Sequence, residues 1–188
     1  MLPGRARGLH LSEDGKAQAT AVAERLAVLP KLDAVYASPL ERTRETAAPI
    51  AKARKLRPLV ERGLLEVDIG DWTGWELKKA AKTEEWKTVQ RRPSAFRFPG
   101  GESFLEMQSR IVDAIERIRA AHPGGTVVAV SHADPIKAAA ADALGTPLDL
   151  FQRIAISPCS VTAILYSDGA PMALTVNSVG DLKALAPS

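Results

Sequence analysis

A three-layer α/β/α sandwich with a mostly parallel sheet is the fold class this sequence predicts, and three observations predict it. The run Thr126–Val130 is β-branched and apolar without polar alternation, the pattern of a strand buried on both faces. That run and the earlier Asp33–Ala37 run each pass almost directly into a helical pattern opened by a capping residue and a proline, Asp134-Pro135 and Ser38-Pro39. Helices then alternate with strands over most of the chain, as they do when helices cover both faces of a parallel sheet.

Taken in order, Met1–Leu11 carries Arg5, Arg7 and His10 in a glycine-containing loop with no clear element. Ser12 caps a first helix, with Glu13 and Asp14 in its first turn. Ala19, Val22, Ala23, Leu26 and Leu29 form its buried stripe, and Pro30 ends it. Asp33–Ala37 is a short strand. The helix after Ser38-Pro39 runs through Arg42, Arg44 and Thr46, and Pro49 is expected to kink or interrupt it. A strand follows around Pro58–Glu61. Between Glu66 and Gly101 the periodicity fades, and this excursion holds Trp72, Trp75, Trp86, Arg91, Arg92 and Arg97. Long connections of this kind line substrates or serve as mobile covers; equally, the tryptophans could simply pack the segment against the body. Ser103 and Glu106 form a capping-box pair opening a long helix with Met107, Ile111, Ala114, Ile115 and Ile118 on its apolar face. His122 near its end reads as a capping residue, with Gly124-Gly125 beyond. After the Thr126–Val130 strand, Ile136, Ala139, Ala140, Ala143 and Leu144 share one helical face and Gly145 stops the helix. Val161–Tyr166 and Ala173–Val176 are strands joined through Ser167-Asp168-Gly169, a hairpin signal.

With 188 residues and 46% hydrophobic content, the chain is read as one domain, 1–188, with a substantial core. A net charge of +3 is too mild to argue for nucleic acid but suits a small anionic substrate. The lone Cys159 rules out an internal disulfide, points to a reducing cytoplasm, and reads as a small buried hydrophobe. Three scattered histidines have no metal-ligand spacing, so no metal or other cofactor is expected. No run reaches membrane-spanning length and no signal-peptide core opens the chain. Oligomeric state leaves no mark. Gly-Xaa-Ser-Xaa-Gly elbows, Walker loops and dinucleotide fingerprints are absent.

What remains sits at strand ends. His132 follows the Thr126–Val130 strand and faces the start of a helix, where open α/β sheets bind ligands and helix N-termini favour anions. The alternative is a core histidine donating to a backbone carbonyl. Arg42 lies one turn into the helix after the Asp33–Ala37 strand, and Glu66 follows Leu64-Leu65. An arginine, a histidine and a carboxyl group are the parts needed to hold a phosphate and protonate a leaving oxygen.

Five segments resemble, in order, signatures of the histidine phosphatase superfamily, also called phosphoglycerate mutase-like. They are Leu11–Ala19 (LSEDGKAQA), Ser38–Thr46 (SPLERTRET), Leu65–Gly74 (LEVDIGDWTG), Pro99–Ser103 (PGGES) and Val130–His132 (VSH). The resemblance implies that His132 is the second catalytic histidine, Arg42 a phosphate-binding arginine and Glu66 the proton donor. It also implies an Ala133 backbone N–H near the phosphate. Members open with a strand ending in Arg-His-Gly, whose histidine takes the phosphoryl group; nothing in Met1–Leu11 matches it, and His10 corresponds to a later loop residue. The implied fold is therefore the family sandwich with its first strand absent from this chain, the missing strand belonging beside Thr126–Val130.

The implied activity is phosphomonoester hydrolysis through a phosphohistidine, on a small phosphorylated substrate, with 66–101 as the variable substrate-facing segment. Phosphoglycerate mutase-type transfer is the less favoured variant, because that segment is short for the insertions mutases use. The rival from another class is a non-catalytic module that binds a phosphorylated ligand or a protein without turning it over.

Overall fold

The computed structural model describes residues 1–182 and residue 185. In chain order the regular elements are α1 (Glu13–Leu26), β1 (Ala34–Ala37), α2 (Glu41–Ala53), β2 (Leu59–Val60), α3 (Leu77–Ala80), α4 (Glu84–Arg91), α5 (Phe104–Ala121), β3 (Val127–Val130), α6 (Ala133–Ala143), β4 (Val161–Leu165) and β5 (Met172–Ser178). β1 is central, paired in parallel with β2 on one side and with β3 on the other, Ala34 opposite Val127 and Ala37 opposite Val130. β4 and β5 form an antiparallel hairpin, as the Asp-Gly join implied.

Alternation along β1 assigns the layers. Val35 and Ala37 are fully buried against Val22, Ala23 and Leu26 of α1 and Ala47, Ile50 and Ala51 of α2. Tyr36, pointing the other way, packs on the cluster built from Phe104, Met107 and Ile111 of α5 and Ala138, Ala139 and Ala141 of α6. The result is the α/β/α sandwich with a mostly parallel sheet. Among the described residues no helix is long and apolar enough to cross a membrane.

Local signals are obeyed where the partners are local. Ser12 caps α1 by accepting from Gly15 N–H, and Ser103 with Glu106 makes the full capping box of α5. His122 is the C-cap of α5 and shares a 3.0 Å hydrogen bond with the Tyr36 hydroxyl. Gly145, at φ +64°, ends α6 in the left-handed region open to glycine.

Several expectations need correction. α1 ends at Leu26, before Pro30. α2 begins at Glu41 with Leu40 as N-cap and runs on past Pro49 to Ala53 without interruption. α6 begins at Ala133 with His132 as N-cap, which puts Pro135 inside the first turn, where its missing N–H has no helical partner to lose. Its buried residues are Pro135 and Ala138–Ala141, whereas Leu144 is 52% exposed. The strand expected to be buried on both faces is not: Val127, Val128 and Val130 are half-buried and Ala129 is exposed. β3 is the last strand of its sheet, so its apolar residues have a neighbour on one side only.

The excursion between Glu66 and Gly101 contains α3, α4 and three-residue turns. Its tryptophans pack against the body. Trp72, 3% exposed, stacks on Trp75 at 5.3 Å between ring centroids and meets Phe98 edge-on at 5.4 Å. Glycines bring its two ends together: a Cβ on Gly70 would lie 2.1 Å from Pro99 O, and one on Gly101 would lie 2.3 Å from Asp68 O.

Candidate active site

The carboxyl ends of β1 and β3 lie side by side, because the two strands are in parallel register up to Ala37 and Val130. Each is followed by a serine whose hydroxyl turns inward. Ser131 Oγ donates to Leu64 O at 2.7 Å, tying the end of β3 to the segment before Glu66. Ser38, fully buried, does not cap α2; its Oγ shares a 2.9 Å hydrogen bond with His132 Nε2, 94 residues away. Thr43 takes over the local work, its hydroxyl serving the carbonyls of Ser38 and Leu40 at 2.9 and 2.8 Å. His132 is 7% exposed, and burial first, then Arg42, Arg110 and Arg5, lowers its pKa to about 3. The ring is therefore neutral at pH 7.

Arg42 projects from the first turn of α2. Its Nη2 donates to Gly4 O at 2.9 Å, while Nη1 is buried with no hydrogen-bond partner among the described residues. Burial lowers its pKa, and Glu66 and Glu41 work against that shift. A buried guanidinium nitrogen left unpaired is costly unless an acceptor arrives.

Glu66 is half-buried, with Oε1 accepting from Val67 N–H at 2.8 Å. Burial and the neighbouring Asp134 carboxylate push its pKa up to about 8, against the pull of the Val67 N–H, Arg42 and Lys137. Lys137 reaches Asp134 at 3.2 Å and Gln152 at 3.1 Å. Ala133 is the first residue of α6, where helix N–H groups have no intrahelical partner and no side chain caps them.

The three residues expected to act together thus meet at one sheet edge, with Arg42 acting electrostatically on both His132 and Glu66. The arginines of the excursion are not gathered there by side-chain contacts. Arg97 pairs with Glu106 and donates to Gly101 O, and Arg91 and Arg92 are exposed. His10 is on the surface in a pair with Glu45. Among the described residues no group of three or more His, Cys, Asp or Glu side chains could hold a metal ion.

Residues 3–179 match the histidine phosphatase superfamily (branch 1). The chain belongs to the histidine phosphatase superfamily. It is 34% identical over 179 residues to phosphoserine phosphatase 1 of Hydrogenobacter thermophilus, covering 93% of this chain and 84% of that protein. It is also 34% identical over 174 residues to a bifunctional protein of Mycobacterium tuberculosis, Rv2228c, covering 92% of this chain and 48% of that one. Among solved structures, the mycobacterial glucosyl-3-phosphoglycerate phosphatase in complex with inorganic phosphate superposes with a TM-score of 0.81. That match has 26% identity and covers 94% of this chain and 91% of that one.

Relative to the histidine phosphatase pattern, these 188 residues contain no Arg-His-Gly, and no strand precedes α1 among the described residues. The free side of β3 and the half-exposed valines along it are where the sheet is short of a member.

Sequence reasoning misses several residues that build the site. Ser38 has the local context of a helix cap, and nothing local reveals a hydroxyl recruited from across the sheet. Asp134, in a similar context, instead acts on Glu66 from the first turn of α6. Arg5 and Arg110 converge on the Glu66 carbonyl, and Glu102 binds both arginines; Glu102 lies within the Pro99–Ser103 signature, and that is the one available signal.

Proposed function

We propose that this chain supplies the phosphate-binding and proton-donating part of a phosphomonoesterase that works through a phosphohistidine. The observation that carries this reading is the buried, unpaired Arg42 Nη1 at the same sheet edge as the buried His132, with Glu66, its pKa pushed up to about 8, acting on the same arginine. Arg42 and the N–H groups opening α6 bind the phosphoryl oxygens. His132, whose pKa an arriving dianion raises, takes up a proton and stabilises the charge that grows in the transition state.

The nucleophile is a histidine on an apolar strand that fills the free side of β3, in an Arg-His-Gly these 188 residues do not contain. Its ring nitrogen forms the N–P bond as the P–O bond to the leaving group breaks, and the Glu66 carboxyl gives its proton to that oxygen. In the second half Glu66, now a carboxylate, takes a proton from water as the water oxygen attacks phosphorus. The N–P bond breaks and inorganic phosphate leaves. A small phosphorylated substrate is supported by the relatives, one a phosphoserine phosphatase and another a glucosyl-3-phosphoglycerate phosphatase seen with phosphate.

A second reading keeps the same anion site, Arg42 and the start of α6, in a module that binds a phosphorylated ligand without turnover. Both readings require an anion site in this chain. Calorimetric titration with inorganic phosphate at pH 7 should show one site. Arg42→Ala should weaken it by about ten- to a hundredfold, the value of one to two charge-assisted hydrogen bonds. A chain that takes no phosphate, or an Arg42→Ala variant that binds it equally well, would sink the assignment.

A further inference from the structure

Glu66 sits in a segment that has no ladder to hold it. After β2 the chain makes a single three-residue turn, Arg62–Leu64, and then runs without regular structure to Ile69. The carbonyls from Gly63 to Glu66 are nevertheless all taken by side chains from elsewhere. Gly63 O and Leu65 O accept from Arg110 Nη1 at 2.7 and 2.9 Å, and Leu64 O accepts from Ser131 Oγ at 2.7 Å. Glu66 O accepts from Arg5 Nε at 2.7 Å and Arg110 Nη2 at 3.3 Å.

One carboxylate organises both arginines. Glu102 accepts from Arg110 Nε at 2.7 Å and Nη2 at 3.0 Å, from Arg5 Nη2 at 2.8 Å and from Asp68 N–H at 3.1 Å. Arg5 Nη1 closes the set on Asp68 Oδ2 at 3.3 Å. The side chains of Arg5, Arg110 and Glu102 are only 26%, 21% and 16% exposed, so the network is shielded from the water that weakens surface pairs. Arg110 bridges the Glu102 carboxylate and three carbonyls, five contacts that the five N–H donors of a planar guanidinium can serve and the three of an ammonium cannot.

We propose that Arg5, Glu102 and Arg110 are positioning residues for Glu66, fixing its backbone so that its half-buried carboxyl stays turned into the site instead of swinging out into solvent. The proposal rests on the reading of Glu66 as proton donor. Other groups act on that carboxyl directly: Asp134 and Lys137 from α6, Arg42 from α2 and the Val67 N–H. None of the four is itself replaced by substitutions in the network. The sign of the effect is therefore diagnostic. Losing a guanidinium charge alone can only raise the Glu66 pKa, whereas releasing the carboxyl to water lowers it toward 4.5.

The test is a ¹³C NMR titration of the Glu66 carboxyl in the full chain, the signal assigned by its loss in Glu66→Gln. Wild type should titrate near 8. Arg110→Met should bring the midpoint down by about two units or more, as expected when burial is relieved. Should Arg110→Met fail to fold, Glu102→Gln, which keeps the shape and removes the shared carboxylate, carries the same expectation. A midpoint that stays put or rises in a folded variant overturns the proposal while leaving Glu66 as acid intact. A wild-type midpoint near 4.5 overturns the acid assignment and the positioning with it. Since the readout is protonation, neither outcome depends on turnover.

Discussion

Burial moves Glu66 and His132 in opposite senses, and at neutral pH both end up uncharged. Glu66 gains an elevated pKa, from 4.5 to about 8, so the folded state holds its proton longer than the unfolded state does. Its contribution to stability is complete below pH 4.5 and is lost as pH rises through 8. His132 is depressed from 6.5 to about 3, so its contribution is complete above pH 6.5 and is lost as pH falls through 3. The two slopes cancel between pH 4.5 and 6.5, and stability should fall on the alkaline side of that plateau. Urea midpoints measured from about pH 5 to 9 should decline above 6.5 in wild type and much less in Glu66→Gln. An identical alkaline decline in both proteins would show that Glu66 is solvated and ionised.

At the scale of elements, what the sequence could show depended on how far away each partner lies. Ser12 and Ser103 cap their helices with bonds three residues long, so their pattern was readable. Ser38 and Asp134 stand in equally good capping contexts, yet their roles are set by partners across the sheet and on another segment. Arg5 and Arg110 bond to carbonyls, which every residue carries, so no sequence pattern announces them. The α/β/α class and the antiparallel hairpin were legible, because strand-end caps, the Asp-Gly join and family signatures report them.

Glycines make the excursion fold back on its own start. Gly70 combines φ +48° with a Cβ position 2.1 Å from Pro99 O, whereas Gly74 has φ +84° with nothing within 4 Å. Gly70→Ala should therefore suffer both overpacking and left-handed strain, about 2–5 kcal/mol together, and Gly74→Ala the strain alone, about 1–2 kcal/mol. Thermal melts should separate the two variants by several degrees. Equal losses would mean that the Gly70–Pro99 approach relaxes freely.

Over the whole molecule, the informative feature is a strand whose composition and surroundings disagree. Val127–Val130 has the apolar run of a sheet interior, but it is half-buried and paired on one side. An apolar strand with an open edge invites another strand, and on the proposed reading the site at its carboxyl end has an acid, an arginine clamp and a neutral histidine but, among the described residues, no attacking group. Both deficits are met by one apolar strand, about five or six residues long, ending in Arg-His-Gly. The decisive measurement is hydrolysis of a generic phosphomonoester by the 188-residue chain and by a version carrying such a strand ahead of Met1. The extended protein should be faster by about 10⁴–10⁶, the loss expected when a covalent nucleophile is removed from a unit that acts together. Turnover by the 188-residue chain within about tenfold of the extended protein would contradict the account and place the nucleophile among the residues already present.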